Sequence, residues 1–596
     1  MRSQHRSVSK TNSIEIRRAV FTILAGIGFS APAFATTYNF IPGIGTGTAT
    51  PAGTANWTDP NSWAGTVSAV TTYAVPGASD QASSSTGATT IIDSAVPTVN
   101  EVRFANIAPG SNDYTVTGGG TAYPSTGLST LTIASTGALN IASTNGTANG
   151  SLTIGNAIGA NGTFNMNGGT LTTGGVAMTT ESLGGLESLI IGGSASSATT
   201  AGPVGNFFMN SGTVTVANNF INGYGATIGS PFVGYASGNT TQSGGTINVA
   251  GAVIIGARGH GTYTMTGGSL IQTGVNGDSN SLGRDAFVLG QSDISGTSGN
   301  LQGGQGTFSQ SGSSTVSISN GLYIANQSNT KGSYTISGGS LTVAGDISVA
   351  SAMGSGVGIA APVAATNNTG LFQVNGNSAS TITANHMTAN TPTSTLGFGI
   401  ASSAGSSLIS LSAANGFDGS AQLSSSTLVD IDPLAGFAPS HGSVFTLITA
   451  TSISALPTLT LDGDAFDNSS LSIINNPNGT QSLIDTINPL PGDANGDGRI
   501  NADDYALTDR GFAKHLTGFS NGDFNNDGVV NAADYMILDT AYLQQNPSAA
   551  PSLLSARDAQ FGPAYVSTLL TSLPEPSLLT ACGLAFLPRR RRTSHC

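Results

Sequence analysis

A short motif, Gly-x-aromatic-x-apolar closing on small residues and then Thr/Ser-Leu/Val, recurs through the middle of the chain and constrains its fold more than any other feature. It reads GTFNMNGGTL from Gly162, GNFFMNSGTV from Gly205, GTYTMTGGSL from Gly261, GTFSQSGSSTV from Gly306, GSYTISGGSL from Gly332 and GLFQVNGN from Gly370, with a weaker copy, GNTTQSGGTI, from Gly238. Between the copies lies a second element of alternating apolar residues ending in Gly or Ala: SLTIG, SLIIGG, AVIIG, AFVLG, GLYIA and DISVA. Both elements alternate with period two, as strands do. The Gly-Gly pairs permit turns that other residues avoid. Strands of four or five residues cannot bury a face alone, so successive copies must stack. A mainly β fold is expected, a right-handed parallel β-helix or solenoid. The copies are spaced irregularly, so either loops are inserted between coils or some copies span two coils.

The repeats set provisional boundaries. Residues 126–395 are the solenoid. Residues 36–125, with ANWTDPNSW and its tryptophans Trp57 and Trp63, are expected to cap its N-terminal end. Residues 396–487 lack the Gly-Gly motif but keep strand alternation (LISLSA, FTLITA, LTLDGD), as further coils or a small sandwich. In its Gly/Thr patterning and NWTDPNSW opening, this region resembles the repeat-rich surface proteins of planctomycete-type bacteria and the strand repeats of autotransporter passengers.

Composition argues against catalysis in the solenoid. Charged residues make up 8 % of the chain, against about 25 % in ordinary globular proteins. Polysaccharide lyases and hydrolases need clustered carboxylates or a Lys/Arg base beside acids. Between residues 36 and 490 the only Lys and Arg are Arg103, Arg258, Arg284 and Lys331, and the only glutamates are Glu101, Glu181 and Glu187. The densest polar spots, Arg258-Gly-His260 and Arg284-Asp285, read as solvated loops. A net charge of −13 with no basic stripe argues against nucleic acid as a partner.

The two ends carry export signals. Arg2, Arg6, Lys10, Arg17 and Arg18 precede an apolar run from Ala19, and Ala33-Phe34-Ala35 supplies an A-x-A cleavage pattern, so residues 1–35 read as a signal peptide. The run is too short to cross a bilayer comfortably, which weighs against an uncleaved anchor. At the other end, a linker (547–573) leads to Pro574-Glu575-Pro576, an apolar stretch Leu578–Leu587 and Arg589–Arg592. Residues 574–596 resemble a PEP-CTERM sorting tail, which implies a sorting protease of the exosortase type. The apolar stretch is short for a span, and a plain exposed tail is the competing reading. Both cysteines, Cys582 and Cys596, lie in this tail, so the body has no disulfide framework.

Just before the linker, two twelve-residue segments repeat at an offset of thirty: DANGDGRINADD from Asp493 and DFNNDGVVNAAD from Asp523. Calcium takes six to eight oxygen ligands, and such a loop supplies them from positions 1, 3, 5, 7 (a carbonyl), 9 and 12. In the first loop these are Asp493, Asn495, Asp497, the Arg499 carbonyl, Asn501 and Asp504. In the second they are Asp523, Asn525, Asp527, the Val529 carbonyl, Asn531 and Asp534. Gly498 and Gly528 stand where the chain must turn around the ion. Ile500 and Val530, at position 8, are expected to point inward where the loops face each other. Two Ca2+ ions are the expected cofactors.

The flanks distinguish this pair from a generic EF-hand. The prolines of NPLPG disfavour a helix before the first loop, position 12 is Asp, and each loop leads directly into a helical pattern: Tyr505 and Phe512 on the first, Tyr535, Leu538 and Tyr542 on the second. Residues 490–546 resemble a type I dockerin, a small all-α calcium-binding domain. The resemblance implies docking to a cohesin-like protein partner through Ala502, Asp503, Asp509, Arg510 and Lys514, or through Ala532, Ala533, Asp539, Thr540 and Gln544. Positions 10 and 11 of the loops lack the Ser/Thr residues familiar from cellulosomal modules, and a structural calcium module without a cohesin partner is the competing reading.

The expectation is a non-enzymatic, exported protein of the cell surface or extracellular space. It is structural or adhesive, contacts extracellular polysaccharide or matrix, and docks through its calcium module. The alternative is a polysaccharide-degrading β-helix enzyme attached through that module.

Overall fold

The computed structural model describes strand segments between residues 37 and 155, then residues 161–173, 187–193, 202–225, 235–274, 286–291, 303–351, 367–376, 380–401, 409–434, 437, 442–461, 469–496 and 498–573. The expected leader and sorting tail, Trp57, Arg284-Asp285 and Asp497 lie outside these residues.

The protein is mainly β, and its strands form three parallel ladders that the chain visits in turn. One coil runs through His260–Met265, Ser269–Gln272 and Phe287–Gln291, and the next returns with Gln305–Gln310 directly beside His260–Met265. The ladder of the Gly-x-aromatic motif joins Asn161–Met166, Val204–Met209, Ser237–Gln242, His260–Met265, Gln305–Gln310, Lys331–Ile336 and Thr369–Asn375 in unbroken register. Each copy of the motif, the weak one at Gly238 included, is therefore one coil. The irregular spacing is taken up between strands.

Alternation decides which side chains enter the core. Phe164, Phe207, Thr240, Tyr263, Phe308, Tyr334 and Phe372 fall in one buried column. Ring centroids lie 4.8 Å apart for Phe164–Phe207, 4.7 Å for Tyr263–Phe308 and 4.9 Å for Phe308–Tyr334. These match the distance between neighbouring strands, so the ladder itself enforces stacking. Two residues on, Met166, Met209, Gln242, Met265, Gln310, Ile336 and Val374 form a second buried column. One continuous apolar core runs from Leu152 to Ile487.

The Gly or Ala that ends the second sequence element is a corner. Gly155, Gly192, Gly256, Gly290, Ala325 and Ala350 all adopt positive φ at the end of the third ladder's strands. At Gly256, φ is 77° and a Cβ would stand 2.1 Å from the Gln305 carbonyl oxygen, so this corner requires glycine.

The ladders extend beyond the motif on both sides. Thr37–Phe40, Gln81–Ser84 and Glu101–Phe104 continue the third ladder, and Thr54–Asn56 and Thr89–Ile92 continue the aromatic one. Within the region expected to cap the N-terminal end, a hairpin of Trp63–Val67 and Val70–Thr72 runs antiparallel to Thr37–Phe40. On the other side, Ser394–Ile400, Leu428–Pro433 and Thr458–Leu459 extend the aromatic ladder. There the stack closes on an antiparallel sheet of Val444–Ala450, Gln481–Ile487 and Ser469–Asn475. The described strands of this region are thus further coils and a closing sheet. Antiparallel strands at both ends cover edges that would otherwise template pairing with another chain.

Candidate metal centre

Among the described residues, four α-helices follow the closing sheet: α1 (Ala502–Lys514), α2 (Ala532–Gln545), α3 (Ala550–Phe561) and α4 (Pro563–Ser572). The first two begin where the sequence places them, each at the end of a twelve-residue loop. Asn501 and Asn531 cap them, accepting from Asp503 N and Ala533 N, and Asp504 and Asp534 complete reciprocal capping boxes. Position 9 and position 12 of each loop thus start the helix as well as facing the loop.

The loops fold around their acidic residues. Asp493, Asp504, Asp523 and Asp534 are buried. In the first loop, Asp493 accepts from Gly496 N and Gly498 N at 2.8 Å each, and Asp504 accepts from Asn495 N at 3.2 Å and Asn501 N at 2.9 Å. Burial pushes the Asp504 carboxyl above its ordinary range, the Asp493 charge adds to this, and the N–H donors oppose it. In the second loop, Asp534 accepts from Phe524 N (2.8 Å), Asn525 N (3.2 Å) and Asn531 N (2.9 Å). Asp523 Oδ2 accepts from Gly528 N (3.1 Å) and Gly518 N (3.2 Å), while its Oδ1 is buried with no hydrogen-bond partner.

In both loops the position-12 carboxylate is tied to the backbone of positions 3 and 9, and the position-1 carboxylate to glycine N–H groups. Asn495, Arg499, Asn525, Asp527 and Val529 are exposed. Asp527 accepts from the Asn525 side chain at 2.9 Å and from Val529 N at 3.0 Å, and the Val529 carbonyl accepts from Asn531 Nδ2 at 3.1 Å. Among the described residues no three acidic or imidazole groups converge as a metal cluster. Ile500 and Val530 are buried as expected, and Ile500 N donates to Gln545 Oε1 at 3.0 Å.

The geometry is that of a duplicated loop-helix unit with buried aspartates at positions 1 and 12 of each loop. Residues 491–543 match the Dockerin type I domain. Dockerin type I domains generally bind calcium and dock cohesin partners. No curated protein and no solved structure matches the chain.

The helical region continues beyond the matched segment, into residues that composition alone reads as a linker. There α3 and α4 pack on α2, and Ala550, Tyr565, Leu569 and Leu573 join Ile500, Tyr535, Leu538 and Leu543 in one core. At its centre, buried Asp539 takes Arg557 Nε at 2.7 Å and Nη2 at 2.9 Å, together with the hydroxyls of Tyr505 and Tyr565 at 2.7 Å each. Arg557 also lies over the Tyr535 ring, 4.8 Å from its centroid. Burial works against the Arg557 charge, but Asp539 outweighs it and holds the guanidinium protonated. The sequence signals for these helices were prolines in the first turns, Pro551 and Pro563, and apolar residues at helical spacing (Tyr565, Leu569, Leu573).

In the solenoid, the polar spot Arg258-Gly-His260 is taken up by aromatic contacts: Arg258 lies 5.2 Å over the Tyr224 ring and His260 stacks at 4.7 Å on Tyr235. Buried His386 pairs with Asp346 at 2.8 Å. No helix of the described residues is long and apolar enough to cross a membrane.

Proposed function

We propose that this is an exported, non-enzymatic protein of the cell surface or extracellular space whose dockerin module, ordered by two calcium ions, docks the solenoid to a cohesin-type partner. The observation that carries the reading is Asp523 Oδ1, a buried carboxylate oxygen without a hydrogen-bond partner at position 1 of the second loop. A buried polar atom of this kind costs about 1–3 kcal/mol or more when charged, and a hard cation removes that cost. The first ion would be held by Asp493, Asn495, Asp497, the Arg499 carbonyl, Asn501 and Asp504. The second would be held by Asp523, Asn525, Asp527, the Val529 carbonyl, Asn531 and Asp534.

The solenoid supplies reach. We infer right-handed coils, since parallel strands joined by crossovers take that hand in nearly all cases. The alternate positions that leave the core in the aromatic ladder carry Thr262, Thr307, Ser333 and Thr335, a hydroxyl-rich surface suited to polysaccharide or matrix contact. The Ala33-Phe34-Ala35 leader and the Pro574-Glu575-Pro576 tail support export and exosortase-type sorting.

Calorimetric titration of the full chain with calcium tests the reading. Two ions per chain, with slowed amide exchange across 491–545, is the expected result; no heat of binding at millimolar calcium would refute it.

A further inference from the structure

The outer face of the aromatic ladder breaks its own pattern at one position. One outward column of that ladder carries Asn165, Thr241, Thr264, Ser309, Thr335 and Gln373, polar residues that suit a wetted sheet. In the coil of Val204–Val216 the same register position holds Phe208, which is 39 % exposed. Among the described residues between 152 and 443, it is the one large apolar side chain left to solvent. The core does not call for it, because the adjacent Phe207 already fills the buried column of rings. A departure of this kind from a local rule marks a functional position.

The surroundings of Phe208 are already ordered. Two residues to either side along the strand, about 6.6 Å each way, alternation places Asn206 and Asn210 on the same face. Asn206 Nδ2 donates to Asn161 Oδ1 at 2.8 Å and reaches Gly162 O at 3.4 Å, and Asn239 Nδ2 donates to Asn206 Oδ1 at 3.1 Å. On the other side, Asn210 Nδ2 donates to Asn167 Oδ1 at 2.7 Å, and Ser243 Oγ donates to Asn210 Oδ1 at 3.1 Å. Two rows of side-chain hydrogen bonds thus cross three coils with the Phe208 ring between them. Each bond fixes the plane of an amide. An amide has two donors and two lone pairs, so Asn210 keeps one of each for a ligand.

We propose that this face is a glycan-binding site, with Phe208 as the platform for a pyranose ring and the two amide rows as partners for its hydroxyls; the ligand class is a neutral, extended polysaccharide chain. It gives a place to the polysaccharide contact proposed above and rests on that reading. A pyranose presents an apolar face of C–H groups and a rim of hydroxyls that both donate and accept. Carboxamides answer both roles, whereas an ionised carboxylate only accepts and an ammonium group only donates. The strands concerned, Asn161–Thr173, Val204–Val216, Ser237–Gln242 and Thr246–Val249, contain no charged residue. An acidic polysaccharide or a nucleic acid therefore finds no cation to pair with. A protein partner fits less well, because interface hot spots sit in desolvated, well-packed surroundings, and Phe208 stands among amides and hydroxyls. A sheet face touches one side of its ligand, which suits several sugars of a chain rather than one enclosed sugar.

Affinity electrophoresis of the full chain tests this, in gels containing hydroxyethyl cellulose or a galactomannan, with polygalacturonate as the acidic control. Retardation by a neutral polymer and none by the acidic one is expected. Phe208→Ala should weaken the binding about ten-fold or more, Phe208→Trp should keep it, and Asn206→Ala with Asn210→Ala should weaken it. Phe208 lies outside the core, so both of its variants should unfold with the midpoint of the parent protein. Binding unchanged by Phe208→Ala overturns the proposal. If Thr307→Ala with Thr335→Ala abolishes it instead, the polysaccharide contact stands and its place is elsewhere on the ladder. No binding to either neutral polymer overturns this site and the polysaccharide contact together, and leaves calcium-dependent docking untouched. A second copy of the chain is the competing occupant: self-association in sedimentation that Phe208→Ala removes, without glycan binding, also overturns the proposal.

Discussion

The Tyr334 hydroxyl donates to Gln310 Oε1 at 2.6 Å across neighbouring coils, and Tyr263 makes the same bond to Gln242. These are the two coils of the aromatic column whose predecessor carries glutamine in the adjacent buried column. Where the predecessor carries Met166, Met265 or Ile336, the next aromatic is Phe207, Phe308 or Phe372. The choice between Tyr and Phe is therefore set one coil earlier, by whether a buried amide oxygen needs a donor. Burial holds both phenols neutral by pushing them well above their ordinary range. The glutamine amide groups are used too: Gln310 Nε2 donates to Ser340 O at 2.9 Å.

Tyr334→Phe is thus expected to destabilise the solenoid by about 1–3 kcal/mol, the cost of leaving a buried acceptor unpaired. Gln310→Met alone leaves the Tyr334 hydroxyl unpaired and should cost a similar amount. The double variant reproduces the Met-then-Phe pairing of Met265 and Phe308, so its cost should fall well below the sum. Denaturant unfolding of the four proteins gives the coupling. Additive losses would refute the pairing rule.

At the corners, Gly256→Ala is expected to be among the most damaging single-methyl changes in the protein. Positive φ alone would cost an alanine about 1–2 kcal/mol, and the added methyl also collides with the Gln305 carbonyl. Ala325→Gly, at the equivalent corner where a Cβ is already accommodated, should change stability little, relief of strain offsetting added chain entropy. Thermal unfolding of both variants checks the contrast.

Much of this was legible in the sequence because a ladder makes each coil answer to its neighbours. The Gly-x-aromatic motif marked every coil of the middle, and its glycines mark where one coil passes close to the corner of another. The outer coils were harder to read: Thr54–Asn56 and Thr89–Ile92 keep the register without the aromatic or the Gly-Gly turn that advertised it. The twelve-residue loops were legible because metal ligation fixes residue types at fixed positions. Asp539 was not. Its residue type suits a solvated helix face, and only the folding of residues 550–572 onto it turns that face into an interior.

Asp485, in the closing sheet, carries a pH dependence of its own. It is fully buried, and neither carboxylate oxygen accepts a well-formed hydrogen bond. Burial pushes it up to about 6, with Ser469 and the Thr486 N–H close enough to oppose this only in part. The folded state then binds the proton more tightly than the unfolded chain, so stability falls as pH rises from the ordinary carboxylate range through 6. The loss is complete above that, at about 3 kcal/mol. Asp485→Asn should remove this slope. Urea unfolding at pH 4.5 and pH 7.5 would show it, and identical slopes in the two proteins would rule the assignment out.

For Asp523 the sign of a substitution should depend on the metal. Its Oδ2 holds Gly528 N and Gly518 N, bonds that an asparagine oxygen can keep, while Oδ1 of the same buried carboxylate charge has no hydrogen-bond partner. In chelator, Asp523→Asn is therefore expected to leave the module as stable as before or slightly more so, since it removes that charge. In calcium the same change removes a ligand. An ion present at a hundred times its dissociation constant stabilises the fold by about 2.7 kcal/mol, and most of that should be lost for the second loop. Amide exchange of residues 523–545, measured for both proteins with and without calcium, separates the two effects. A variant equally destabilised in both conditions would mean that Asp523 serves the loop backbone alone and that no ion depends on it.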